Sequence, residues 1–215
     1  MKKLLVIAGP SAVGKTTVSD EIARQNAKFI VSRSATTRAP RGDGHDSEYV
    51  YMTRGEFGSS IASGDMLEHT EYSGELYGTP RSEIERIGSE GKIPMLILDL
   101  AGVASLRASD LSEDCLFVYL YDELNTLEER LYARYMTPPS IDGLTKFVKR
   151  KEQNIADYLA FDKHAELFDI LVSNAGEVTD TAARILSAME NIPAENKSDV
   201  VTALRAMAEE KLPKN

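Results

Sequence analysis

Gly9-Pro10-Ser11-Ala12-Val13-Gly14-Lys15-Thr16 decides the reading of this chain, because it satisfies G-x-x-x-x-G-K-[ST] at every fixed position. Upstream of it, Lys3–Ala8 is a short, nearly continuous apolar run that Gly9-Pro10 brings to an end. Downstream, Val18, Ile22 and Ala23 recur at helical spacing. The order is therefore strand, loop, helix, the context in which this motif binds phosphate. Its glycines let the backbone curl until successive N–H groups and the helix N-terminus face one anion. Gly9, Ser11, Ala12, Val13, Gly14, Lys15, Thr16 and Thr17 form the expected phosphate cradle. In it Lys15 reaches the β- and γ-phosphates and the Thr16 hydroxyl serves Mg2+. Asp99, closing the apolar run Ile93–Leu98, supplies a carboxylate at a strand's carboxyl end, where such folds hold the metal, usually through water. These residues alone admit a nucleoside triphosphatase or a kinase.

The rest of the chain narrows the class. Its 215 residues allow one domain with insertions or two small ones, and 42% hydrophobic with 27% charged residues is a globular composition. No stretch approaches the ~20 apolar residues of a membrane helix, so no membrane partner is expected. Met1–Ala8 stops short of a secretory apolar region and reads as a buried strand. The single cysteine, Cys115, forms no internal disulfide and no multi-cysteine zinc set, which points to the cytoplasm. The net charge of −9 is uneven: residues 1–41 hold eight Lys/Arg against two acids, a net +6 that leaves −15 for the remainder. One basic segment on an acidic body suits a small phosphorylated ligand rather than nucleic acid, which requires a continuous basic surface.

Further apolar runs at Phe29–Val31, Ile93–Leu98, Leu116–Leu120 and Asp169–Val172, alternating with helical patterns, predict an α/β fold with a parallel-sheet core. Residues 34–91 are glycine-rich and polar, with short alternating pieces such as Glu48–Met52, and read as an inserted subdomain. Residues 130–160 carry Arg130, Arg134, Lys146 and Lys149–Lys151 around Pro138-Pro139, the composition of a helical lid. The predicted division is thus a core of residues 1–33, 92–129 and 161–192, a subdomain at 34–91, a lid at 130–160 and an extension at 193–215. In that extension Val200, Val201, Leu204, Met207, Ala208 and Leu212 share one stripe, which predicts a helix packed on the body or on a second subunit.

Ser34-Ala35-Thr36-Thr37-Arg38-Ala39-Pro40-Arg41, about 20 residues beyond the phosphate loop, resembles the guanylate kinase family. So do, in order, Tyr49, Leu67-Glu68, Tyr72-Ser73-Gly74, Tyr77-Gly78-Thr79, Ile97-Leu98-Asp99, Arg130-Leu131 with Arg134, and Arg150, a likeness spanning about residues 4–190. The forked guanidinium groups of Arg38 and Arg41 and the phenols of Tyr49 and Tyr77 suit the phosphate of a nucleoside monophosphate. The resemblance implies a P-loop kinase with a monophosphate-binding subdomain and a helical lid, using ATP and Mg2+ to phosphorylate GMP or dGMP. It implies that Glu68 accepts from the guanine N1–H and exocyclic amine, with Ser34, Thr79 and Asp99 completing the acceptor site. It further implies that Lys15, Arg38, Arg134 and Arg150 act on the transferring phosphoryl group, that Arg130 and Asn174 lie near adenine, and that Thr16 and Asp99 serve the metal. His45, His69, His164 and Cys115 are surface or packing residues in this reading. The implied partners are small nucleotides, the assembly a monomer or homodimer.

The match departs from the family in one place that bears on the base. The family continues I-L-D-[IV]-D-x-Q-G, whereas here Asp99-Leu100 runs into Ala101-Gly102-Val103, so the second aspartate and the glutamine are absent and the loop is two residues shorter. Two alternatives stay open on the sequence: a kinase of this fold for another monophosphate or a phosphorylated sugar, and a non-catalytic binding module. Against the second, a pure binder has no use for Gly14-Lys15-Thr16 and the lid arginines.

Overall fold

The structure is a computed structural model, and it describes residues 2–40, 49–72, 74–194 and 196–213. At its centre lies a five-stranded, wholly parallel sheet of β1 (Leu4–Ala8), β2 (Phe29–Val31), β7 (Ile93–Ile97), β8 (Cys115–Tyr121) and β9 (Ile170–Ser173), ordered β2-β7-β1-β8-β9. Every residue of β1 is buried, as a central strand covered by helices on both faces demands. The chain leaves β1 toward one side of the sheet and β8–β9 occupy the other, so the carboxyl end of β1 is the topological switch point where ligands of such sheets bind. The motif 9–16 begins there and leads into α1 (Lys15–Gln25).

A second sheet, ordered β4-β3-β6-β5, is built from β3 (Ser34–Thr36), β4 (Tyr49–Tyr51), β5 (Met66–Tyr72) and β6 (Glu75–Pro80). It has a small apolar core of its own, in which Ala35, Phe57 and Met66 are buried. Within the alternation read at Glu48–Met52, Tyr49–Tyr51 form β4, Glu48 lying outside the described residues, but residues 34–91 also hold two helices that polar composition obscured. The first, α2 (Arg54–Ala62), opens with a capping box in which Thr53 accepts from Glu56 N–H and Glu56 accepts from Thr53 N–H. The second, α3 (Arg81–Ser89), packs against β7 of the main sheet. The register between β5 and β6 shifts between Met66 and Glu68, leaving Leu67 as an extra residue that enters the main core. That irregularity sets Glu68 directly opposite Thr79.

The remaining helices are α4 (Leu100–Arg107), α5 (Leu124–Tyr135), α6 (Ile141–Leu159), α7 (Val178–Glu190) and α8 (Lys197–Glu209). Within the predicted lid, Tyr158 at the end of α6 is buried in the main core with Ile155 and Leu159 packed against it, whereas Ile141, Leu144 and Val148 at its start are exposed. Of the two expectations for the C-terminal stripe, packing on the body is the one seen: Leu204 and Ala208 are buried and Lys197 Nζ donates to the Phe168 carbonyl at 2.6 Å. Cys115 lies in the core, where burial pushes its thiol up to about 12.

Arg33 falls between β2 and β3 and forks onto Glu83 of α3 at 2.9 and 3.2 Å, tying the start of the second sheet to the helix beside β7. Burial drives the Glu83 carboxyl up, but hydrogen bonds from Arg33 and Arg86 outweigh it and hold the group at about 2. A depressed carboxyl contributes stability above its unfolded pKa and loses it as pH falls toward the folded value. Glu83→Gln is therefore expected to cost about 1–2 kcal/mol at pH 7, discounted for the half-exposed arginines, with the gap to wild type closing between pH 5 and 2. Urea melts at several pH values measure it, and a gap independent of pH removes the ion pair as its cause.

Candidate functional site

The phosphate loop owes its shape to three backbone positions in the left-handed region. Gly9 has φ +152°, and a Cβ there would stand 2.4 Å from the Leu120 carbonyl oxygen. Gly14, capping α1 at φ +96°, leaves 2.8 Å between such a Cβ and Asn174 Nδ2. Ala12 adopts φ +67° despite its methyl group, a strained state that persists only where the surroundings enforce it.

Those surroundings are visible. Three successive loop carbonyls are drawn outward by side chains from other elements: Ser11 O by Asn154 Nδ2 at 3.0 Å, Ala12 O by Arg130 Nη1 at 3.4 Å, and Val13 O by Asn174 Nδ2 at 2.8 Å. Tying carbonyls outward favours turning the amides at the end of the loop toward a phosphate. Asn174, expected beside adenine, is buried with its Oδ1 accepting from Thr181, so it holds the loop. Arg130 also faces the buried Asp122 carboxylate at 3.0 Å.

Lys15 Nζ donates to the carbonyls of Gly9 and Pro10 at 2.8 and 2.9 Å. Burial, then the charges of Arg150 and Arg134, lower its pKa to about 8 against the opposing pull of Asp157. The Arg150 guanidinium reaches the Ser11 hydroxyl at 3.4 Å, and Arg134 is exposed on α5. Thr16 is exposed at the first turn of α1.

A cavity of about 540 Å³ opens over Gly9, Ser11 and Lys15, walled by Asp99, Tyr119, Arg150 and Asp157. Beside it, a cavity of about 290 Å³ is lined by Ser34, Tyr49, Glu68, Thr70 and Tyr77. Ile97, Leu98, Asp99 and Arg150 line both, so the two adjoin at the carboxyl end of β7. In the second cavity Glu68, 5% exposed, accepts from the Thr79 hydroxyl at 2.6 Å. Burial raises its pKa, with the Asp99 charge adding to the rise and the Thr79 bond opposing it. Arg38 lies 5.1 Å from the centre of the Tyr49 ring, whose own neighbour is Tyr77 at 6.4 Å. Arg41 and His45 lie outside the described residues. Asp99 Oδ1 accepts from Gly102 N–H at 2.8 Å and so caps α4, and a Cβ on Gly102 would stand 2.9 Å from Glu68 Oε2. Where the family carries its second aspartate, this chain thus has the first turn of a helix packed against Glu68.

Among the described residues no cluster of three or more His, Cys, Asp or Glu is placed to hold a metal. One carboxylate with one hydroxyl is nevertheless the sparse donor set that suits Mg2+, which keeps several waters and binds chiefly through substrate phosphates.

Sequence reading missed Asn154, Asp157 and Tyr119. Once Arg150 is placed at the site, the i+4 and i+7 spacing of Asn154 and Asp157 puts them on the same helix face, a signal that was available. Tyr119 carries none, since it sits in a uniformly apolar strand.

Known proteins resemble this chain along nearly its whole length. The sequence profile of the family described as Guanylate kinase matches residues 1–192. The chain is 27% identical over 206 residues to a guanylate kinase of Cereibacter sphaeroides, covering 95% of this chain and 94% of that protein. It is 34% identical over 172 residues to the guanylate kinase of Homo sapiens, covering 79% of this chain and 84% of that one. The crystal structure of guanylate kinase from Anaplasma phagocytophilum, 22% identical, shares the fold at a TM-score of 0.60 over 100% of this chain and 97% of that one. With the phosphate loop, the adjoining cavity and the ordered motifs all in one chain and the profile spanning nearly its whole length, this chain belongs to the guanylate kinase family.

Proposed function

We propose that the two adjoining cavities hold the two nucleotides of a guanylate kinase reaction, ATP over the phosphate loop and GMP or dGMP in the cavity of Glu68. A member of this family transfers the γ-phosphoryl group of ATP to GMP, giving GDP and ADP. The observation that carries the assignment of sites is that Asp99 and Arg150 line both cavities, which is where a group passing from donor to acceptor must travel.

The acceptor oxygen is already a nucleophile, so the reaction needs positioning and charge neutralisation more than a strong base. Lys15 exchanges its two loop carbonyls for phosphate oxygens. Arg150 and Arg134 bring further positive charge to the transferring group. Arg38 and Arg41, with Tyr49 and Tyr77, hold the monophosphate, while Glu68 accepts from the guanine edge with Thr79 and Ser34 beside it. Asn174 supports the loop and Arg130 borders the adenine side. Thr16 and Asp99 are the groups that would hold Mg2+, which neutralises phosphate charge when bound. In this reading residues 34–91 are the monophosphate subdomain, residues 130–160 the lid and residues 193–215 a packed extension. A lone buried thiol suits the cytoplasm, and no described helix is long and apolar enough to cross a membrane.

The test is a coupled ADP-release assay across GMP, dGMP, AMP, CMP and UMP. GMP is expected to exceed AMP in kcat/KM by about 100-fold or more, because adenine offers an acceptor where Glu68 needs a donor. Equal use of the two purines overturns the base assignment.

A further inference from the structure

The phosphate loop is tied to the end of α6 by one side chain to which the proposed reaction gives no role. Asn154 is 2% exposed, and its amide holds both backbone polar groups of a single loop residue: Oδ1 accepts from Ser11 N–H at 2.8 Å and Nδ2 donates to Ser11 O at 3.0 Å. A pair of bonds to one residue fixes the orientation of the peptide groups on both of its sides, which a single bond does not. The next residue, Ala12, is the strained left-handed position, so the clamp sits where the loop begins its curl. On the same helix face, one turn earlier, Arg150 reaches the Ser11 hydroxyl, and one turn later Asp157, held by Gln153 at 2.8 Å, faces Lys15 electrostatically. The part of α6 that bears Asn154 is anchored, since Tyr158 and Ile155 lie in or against the main core.

We propose that Asn154 is a positioning residue for phosphoryl transfer: by clamping both backbone groups of Ser11 it keeps the loop curled for phosphate and sets the Lys15 and Arg150 charges in register. The proposal rests on the assignment of ATP to this loop. Preorganisation of this kind acts chiefly on the donor side, because Ser11, which the clamp grips, and Lys15 line the cavity over the phosphate loop and not that of Glu68. Removing the clamp releases a loop whose curl Ala12 resists, and misplacements of about 1 Å at a phosphoryl-transfer site cost up to about 100-fold.

The experiment compares wild type, Asn154→Ala and Asn154→Asp in steady-state kinetics, with ADP and GMP binding followed by calorimetry. For Asn154→Ala, the KM for ATP and the Kd for ADP are expected to rise about 10-fold and kcat to fall about 10-fold or more, while the Kd for GMP stays within about twofold. Asn154→Asp keeps an acceptor for Ser11 N–H but sets a charged acceptor against the Ser11 carbonyl, so its donor-side values should be at least as poor as those of Asn154→Ala. A merely structural role would lower the active fraction, reducing apparent kcat and the binding stoichiometry while leaving the KM for ATP and both dissociation constants in place. The proposal is overturned by wild-type ATP and ADP values in either variant, or by equal loss of ADP and GMP binding. Where Asn154→Ala does not fold, Asn154→Asp decides by the same ratio. A wild type that binds ADP but fails to phosphorylate GMP overturns the acceptor assignment and leaves the clamp testable through ADP affinity.

Discussion

Replacing Lys15 with alanine is expected to lower kcat by about 10²–10⁴-fold while GMP binding stays within about twofold of wild type. The size follows from where the charge stands. Lys15 is half-buried, its Nζ rests on two carbonyls of its own loop, and the nearby charges of Arg150 and Arg134 mark the site as one already arranged to attract anions. On the proposed function that ammonium meets phosphate oxygens in the transition state, where a preorganised charge is worth more than in solvent. GMP is unaffected because its cavity is lined by other residues. The pKa of about 8 adds a pH signature. Above pH 8 the free enzyme loses the Lys15 proton, so kcat/KM for ATP should decline with a midpoint near 8, while kcat holds to higher pH because bound phosphate favours the charged form. Pre-steady-state and steady-state rates across pH 6.5–9.5 measure both, and a variant retaining a tenth of wild-type turnover sinks the role.

How much of this was legible depends on how local each signal is. The central strands announce themselves because β1, β7 and β8 are buried on both faces, so each is a continuous apolar run that turn residues or charges bound. The phosphate loop is legible for the same reason, its chemistry being contained in eight consecutive residues. In contrast, α2 buries only Phe57 and lacks the apolar periodicity that marks a helix, although the Thr53–Glu56 box marked its start, while α3 is amphipathic through Ile84 and Ile87 but only nine residues long. Pairings across the chain are illegible in principle: nothing in the sequence says that Asn154 will meet Ser11 across 143 positions or that Asn174 will spend its amide on Val13. Asp99 shows both sides of this limit. Its position at the end of a strand is read directly, yet that one of its oxygens caps α4 through Gly102 emerges only when the helix is seen to begin at Leu100.

Glu68→Gln is expected to lower kcat/KM for GMP by about 10- to 100-fold and to raise that for AMP, so that the ratio between them collapses. The carboxylate is an acceptor on every lone pair, with Oε1 taking the Thr79 hydroxyl and Oε2 packed beside Gly102 on the first turn of α4. A glutamine cannot reproduce this. If its oxygen serves Thr79, its NH₂ faces the guanine N1–H, a donor against a donor inside a desolvated pocket. If it flips, one acceptor is recovered and the bond to the exocyclic amine is still lost. Adenine offers an unprotonated N1 to that same NH₂, which explains the opposite sign for AMP. With no second carboxylate after Asp99, a neutral Glu68 replacement leaves little else to read the base. Stability separates recognition from damage: burial holds the Glu68 pKa above the usual carboxylate range, so the folded state at pH 7 bears a cost for the ionised form that a neutral amide removes. The variant should therefore melt at or above the wild-type Tm. Protonation supplies the remaining check, since wild type should lose its GMP preference as pH falls through the raised pKa and approach the variant, whose purine ratio stays flat. Measuring kcat/KM for both purines against pH in the two proteins tests each part, and an unchanged GMP preference in the variant would remove Glu68 from base recognition.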